Sequence, residues 1–246
     1  MSFTSDLTID ELLLVEEAGF EPLELVMGSS YFHIGYASAA WSQNQELDTL
    51  SGVMIDARHR AVQQVYQQAA AVRADGVVGV RVEIEREGHH AEFTAVGTAV
   101  RRRDGEGRRW HDARGWPFTC DLSGEDFWAL VRGGFRPMSL VMGVCVYHIA
   151  HQGLRAWFTQ VGQNVENVPF TQGMYDARET AMGRMQAEAQ AAGGTGVVGV
   201  NVHEGHHGWD AHVLEFFVVG TAVAPILDEG HELHKPPRLV LSMGDR

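Results

Sequence analysis

The sequence predicts an α+β protein built as a tandem duplication, each copy packing a long helix on a small antiparallel sheet. Three recurrences carry this reading. Residues 20–35, FEPLELVMGSSYFHIG, return at 135–150 as FRPMSLVMGVCVYHIA. The run GVVGV at 76–80 returns unchanged at 196–200, and GTAV at 97–100 returns at 220–223. The offset grows only from 115 to 123 residues along the chain. One unit of roughly a hundred residues has therefore been copied and slightly lengthened.

Each copy opens with a short helix. In the first, Thr8 and Glu11 have capping-box spacing, Leu12, Leu13 and Val15 supply an apolar side, and Gly19 stops the helix. In the second, Ser123 caps, Phe127, Trp128, Leu130 and Val131 are apolar, and Gly133 and Gly134 close it. A strand is expected at 23–27 and 138–142, with Gly28 and Gly143 bending the chain into a second extended piece at 31–37 and 144–150. The long helix follows at 53–73 and 174–192. Ala57, Ala61, Val65, Ala69 and Val72 form a stripe along it, repeated by Ala177, Ala181, Met185, Ala189 and Ala192. Small residues at helical spacing predict close packing on a sheet. Val77, Val78, Val80, Val82 and Ile84 begin the last strand pair. Consecutive valines imply that both faces are covered there, and 93–100 forms the returning strand.

These elements divide the chain into a first repeat with its leading helix (1–100), an arginine-rich connector (101–118), a second repeat (119–224) and an extended tail (225–246), with a candidate edge strand at 238–243. The connector holds Arg101, Arg102, Arg103, Arg108, Arg109 and Arg114, with Trp110 and Trp116 interleaved and Asp104, Glu106 and Asp112 diluting the charge. It reads as a solvated linker, with docking of an acidic partner as the alternative.

At 246 residues the chain can bury two cores. A net charge of −13 argues against non-specific nucleic-acid binding, which needs a cationic surface. No apolar run approaches the roughly 18 residues of a membrane span. The start MSFTSDLTIDE lacks the basic-then-apolar profile of a secretory signal. Two cysteines, Cys120 and Cys145, imply no disulfide framework, so a cytoplasmic setting is expected.

The order of Ala57-Arg58, GVVGV and GTAV, repeated from Ala177-Arg178 onward, resembles the YbjQ-like family, which carries a heavy-metal-binding label. The resemblance covers about 20–100 and 135–224; the two leading helices and the connector fall outside it. It implies a dodecin-like α+β unit that assembles into a five-fold ring. An odd ring cannot be filled by whole two-repeat chains. The resemblance therefore implies five chains, with first copies in one ring and second copies in another stacked upon it, a closed symmetry that satisfies every equivalent contact.

Candidate chemistry concentrates in the second hairpin. His203, Glu204, His206, His207, Asp210 and His212 offer imidazole and carboxylate donors suited to zinc, nickel or copper. Of these, His203, His206, His207, Asp210 and His212, with His89 from the first copy, are the candidate metal ligands. The pattern His89–x–x–Glu92 aligns with His212–x–x–Glu215. Residues three apart on a strand face opposite ways, however, so a solvated polar hairpin is the competing reading. His231 and His234 in the tail form a weaker pair. His33 and His148 recur between apolar neighbours and read as hydrogen-bonded structural histidines. Cys145, three residues before His148, reads as a buried thiol rather than a nucleophile, because the first copy has Ser30 there. Asp56-Ala57-Arg58 and Asp176-Ala177-Arg178 read as helix starts, the acid facing the helix dipole and the arginine available for a salt bridge within or between subunits. GVVGV precedes a strand and offers no helix N-terminus to a phosphate. Trp41, Trp157 and Trp209 would favour partner or planar-ligand binding if exposed.

The expected function is a non-enzymatic, ring-forming homo-oligomer that binds a small ligand, a metal ion or a partner protein, with neither nucleic acid nor a membrane span involved. The alternative is a metal-dependent enzyme built on the His-rich hairpin.

Overall fold

A computed structural model describes residues 4–33, 43–87, 90–150, 168–206 and 213–226. The first repeat comprises helix α1 (Ile9–Glu17), strand β1 (Phe20–His33), the short strand β2 (Gln45–Glu46), helix α2 (Asp48–Ala71) and the hairpin of β3 (Gly76–Glu87) and β4 (His90–Arg102). A 3-10 turn (Gly107–Trp110) and the short strand β5 (Phe118–Thr119) lead into the second. That repeat comprises α3 (Gly124–Arg132), β6 (Phe135–His148), α4 (Val168–Ala191), β7 (Gly196–His206) and β8 (Val213–Pro225).

The short leading helices form as their caps dictate. Thr8 accepts from the Glu11 amide while Glu11 bonds back to the Thr8 amide, and Ser123 accepts from the Asp126 amide. The two sheets have orders β1-β4-β3-β5 and β2-β6-β8-β7. The first repeat thus lends a short strand to the second sheet, β2 pairing antiparallel with β6, and the connecting segment lends one to the first, β5 pairing parallel with β3.

The expected bend at Gly28 and Gly143 is absent; β1 and β6 run unbroken through both. Each glycine instead lets its strand touch the long helix. A Cβ at Gly28 would collide with the Ala61 carbonyl, and one at Gly143 with the Ala181 carbonyl. The alanine stripe and the strand glycine are two halves of one close contact. In GVVGV, Gly79 and Gly199 have φ of +68° and +65°. They sit where the β3–β4 and β7–β8 registers shift. The motif is a β-bulge whose αL position favours glycine. Thr98 and Thr221 of GTAV are fully buried. Thr98 bonds Ser5 and the Asp6 amide, and Thr221 bonds Asp121, so each anchors the segment entering its leading helix.

Three cores result. One places α2 between the inner face of its own sheet and the outer face of the second sheet. Another lies between α4 and its own sheet. The third joins Phe20, Val78, Trp110, Phe118, Cys120 and Phe127 beneath the leading helices. Val77 faces the first core and Val78 the third, as their adjacency predicts. The connector differs from a solvated linker. Arg103, Arg108 and Arg109 are exposed, but Trp110 and Phe118 are buried, with Trp110 edge-on to Phe20 at 4.9 Å.

Candidate functional site

The two repeats meet along a seam, and its chemistry follows from which helix faces which sheet. Helix α2 begins at Asp48, a turn and more before the expected start. Asp56 therefore lies in the third turn, and the helix-dipole role assigned to it does not hold. The same shift puts Arg58 mid-helix, beside the second repeat. Its guanidinium lies 2.9 Å from Glu215 on β8, with side chains 1% and 4% exposed. The rings of Phe93 and Phe217, 4.4 and 3.9 Å from the guanidinium carbon, enclose it. A charge this deep is tolerated only with a partner of opposite sign and well-aligned polar or π contacts. Around the pair, Leu50 and Met54 of α2 share a core with Leu140, Met142, Val144 and Val146 of β6. The Ser51 hydroxyl accepts from the Val146 amide at 2.9 Å.

Beside this pair, a cavity of about 440 Å³ is lined by Val82 and Ile84 of the first repeat and His203, Glu204, Glu215 and Phe217 of the second. A second cleft along the seam, of about 350 Å³, is lined by His59, Tyr66, Arg114, Ser139 and Glu188, among others. His59 Nε2 lies 2.5 Å from Glu188 Oε1, and the Met142 amide donates to the other Glu188 oxygen at 2.8 Å. The Glu188 bond raises the His59 pKa above the usual imidazole value, against a smaller lowering by burial. Tyr66 Oη is 3.0 Å from both Thr119 and Ser139, and Arg114 donates to Ser139 Oγ at 3.2 Å. Arg114 is ion-paired with Asp112 and His59 with Glu188, so the cleft's charges are matched, and with two hydroxyls over an apolar floor it suits a small polar molecule.

Of the expected metal ligands, His203 lies on β7 opposite Phe217, its ring stacked at 5.7 Å, and it opens on the larger cavity. His206 is on β7 opposite Leu214. His207, Asp210, His212 and His89 lie outside the described residues, as do His231, His234, the tail strand, Trp41, Trp157 and Trp209. Among the described residues no three His, Cys, Asp or Glu side chains cluster as metal ligands.

The repeated histidines diverge. His148 is buried and its Nδ1 is 3.2 Å from the Gln43 carbonyl. His33 is exposed and packs edge-on to His90 at 5.0 Å. Cys145 is fully buried, as expected, and burial pushes its thiol up to about 12. Burial drives Cys120 higher still.

Sequence reasoning missed the cross-repeat partners: Glu215 for Arg58, Glu188 for His59, Ser139 for Tyr66, and Glu46 for Arg184. One signal was available. Glu215 stands alone in VLEFFVV, and a carboxylate in so apolar a strand needs a buried cation.

Two copies of one α+β unit, joined by a helix-on-sheet seam, define the class. The family model described as "Putative heavy-metal-binding" matches residues 22–103 and 139–225, and the chain belongs to that YbjQ family as two tandem copies. It is also similar to the encapsulin nanocompartment protein Rv1762c of Mycobacterium tuberculosis, at 47% identity over 227 residues, covering 90% of this chain and 86% of the relative. No helix among the described residues is long and apolar enough to cross a membrane.

Proposed function

We propose that the chain is a non-enzymatic cytoplasmic protein that works as a homo-oligomeric ring and binds a small ligand, a metal ion or a partner protein on its assembled surface. The observation that carries this reading is the seam. It joins a helix of one repeat to the sheet face of the other, a heterologous contact that leaves unlike faces open at the two ends of the chain. Heterologous contacts propagate until they close. The relative named as an encapsulin nanocompartment protein supports a role inside a larger protein assembly. Five chains carrying ten repeats is the stoichiometry the family resemblance implies. Native mass spectrometry of the whole chain tests the reading: a closed multiple of the chain mass is expected, and a single chain at micromolar concentration would overturn it.

The ligand site proposed for this assembly is the seam cleft of His59, Tyr66, Arg114, Ser139 and Glu188. A metal reading keeps one favouring observation, the place of His203 on the lining of the larger cavity. His206, His207, Asp210, His212 and His89 complete its donor set, for zinc, nickel or copper. Tag-free protein should then carry about one ion per chain, lost when the hairpin histidines become alanine. Substoichiometric metal indifferent to those changes would end it, together with the metal-dependent enzyme alternative.

A further inference from the structure

The seam inside the chain is a template for a second seam between chains. Registering the repeats on their shared motifs makes Arg178 on α4 the counterpart of Arg58, and Glu92 on β4 the counterpart of Glu215. Met182 and Thr171 likewise answer to Val62 and Ser51. On β1, Leu25, Met27 and Tyr31 answer to Leu140, Met142 and Val146 of β6.

Burial separates the two sets sharply. Strand β6 is buried on both faces from Pro137 onward, because α2 covers the outer one. The corresponding face of β1 is open: Leu25 is 36%, Met27 51% and Tyr31 67% exposed. On α4, Tyr175 is 61% exposed, Arg178 and Glu179 are exposed, and Met182 is half-buried. Arg178 already lies over its own Phe216, 5.8 Å from the centroid, as Arg58 lies over Phe93. Among the described residues, no carboxylate pairs with Arg178 and no cation pairs with Glu92.

Resting on the homo-oligomeric reading above, we propose that α4 of one chain docks on the open β1–β4 face of a second copy, with Arg178 meeting Glu92 of that copy. Apolar area, opposite charge and the internal precedent all select the same occupant. Each chain then contributes one sheet face and one helix face, so any closed ring contains whole chains with first and second repeats alternating. That order differs from two tiers of like repeats.

The test uses the full chain. Arg178→Glu and Glu92→Arg should each weaken assembly about tenfold or more in sedimentation velocity, with circular dichroism confirming the fold. The double variant R178E/E92R should restore assembly. Independently, a Tyr31→Cys/Thr171→Cys chain should form covalent multimers on oxidation, because Val146 and Ser51, their counterparts, are hydrogen-bonded. Wild-type oligomers unaffected by either charge reversal, or an absence of cross-linked chains, would overturn the docking faces and leave the oligomer reading standing. A wild-type single chain would overturn both.

Discussion

The guanidinium of Arg58 in the first repeat and the carboxylate of Glu215 in the second lie 2.9 Å apart, sealed from solvent across 157 residues of chain. Removing one partner leaves the other charge buried and uncompensated, which costs about 3–5 kcal/mol. Glu215→Gln and Arg58→Met should each lower the urea midpoint accordingly. The double variant should lose clearly less than the sum, because it leaves no lone charge. Additive losses would show that the pair does not act as a unit.

Gly28 and Gly143 should each resist alanine. The added Cβ meets a helix carbonyl that cannot rotate away, so a loss of about 1–3 kcal/mol or more is expected. Gly183, inside α4, is the control, because a Cβ there would meet nothing within 4 Å. At that position alanine should stabilise by about 0.5–1 kcal/mol through helix propensity. Equal effects at the three sites in chemical denaturation would contradict the close-approach account.

The His59–Glu188 contact makes seam stability depend on pH. Its hydrogen bond raises the folded-state pKa of His59. The contribution is therefore complete below the ordinary histidine value of about 6.5 and is lost as pH rises through the raised one. His59 is half-exposed, so solvent screening keeps the effect small. The stability difference between wild type and His59→Gln should shrink as the pH passes from mildly acidic to alkaline. A difference that stays flat or grows would refute the assignment.

Neither thiol should behave as a nucleophile in the folded chain. Cys120 and Cys145 are both buried, and burial holds Cys145 near 12. Only the thiolate reacts. A disulfide reagent should thus label both rapidly in denaturant and neither rapidly in buffer. Fast labelling of native protein at either position would point to a breathing core.

The duplication made most of the architecture legible. Glycines and small residues recur at nearly constant offsets, so Thr8, Ser123, both alanine stripes and the paired valines could be assigned from spacing alone. Gly28 misled because a strand glycine signals either a bend or a close approach, and only the neighbouring helix decides. The helix start misled because the turn from Asp48 to Ser51 is neither strongly apolar nor capped by a side chain. The seam partners were hidden for a different reason. Arg58 and Arg178, like Glu92 and Glu215, occupy equivalent places, and periodicity cannot say which arginine meets which carboxylate. Burial breaks that tie.

Fusing the repeats has one further effect. The Arg58–Glu215 junction forms between segments of a single polymer, at a local concentration set by the tether and not by how much protein is present. Dilution cannot open it; only unfolding can. In a ring closed by the proposed docking of α4 on the β1–β4 face, half of the joints would thus be preassembled as each molecule folds, and a cell could regulate the remainder simply through protein abundance.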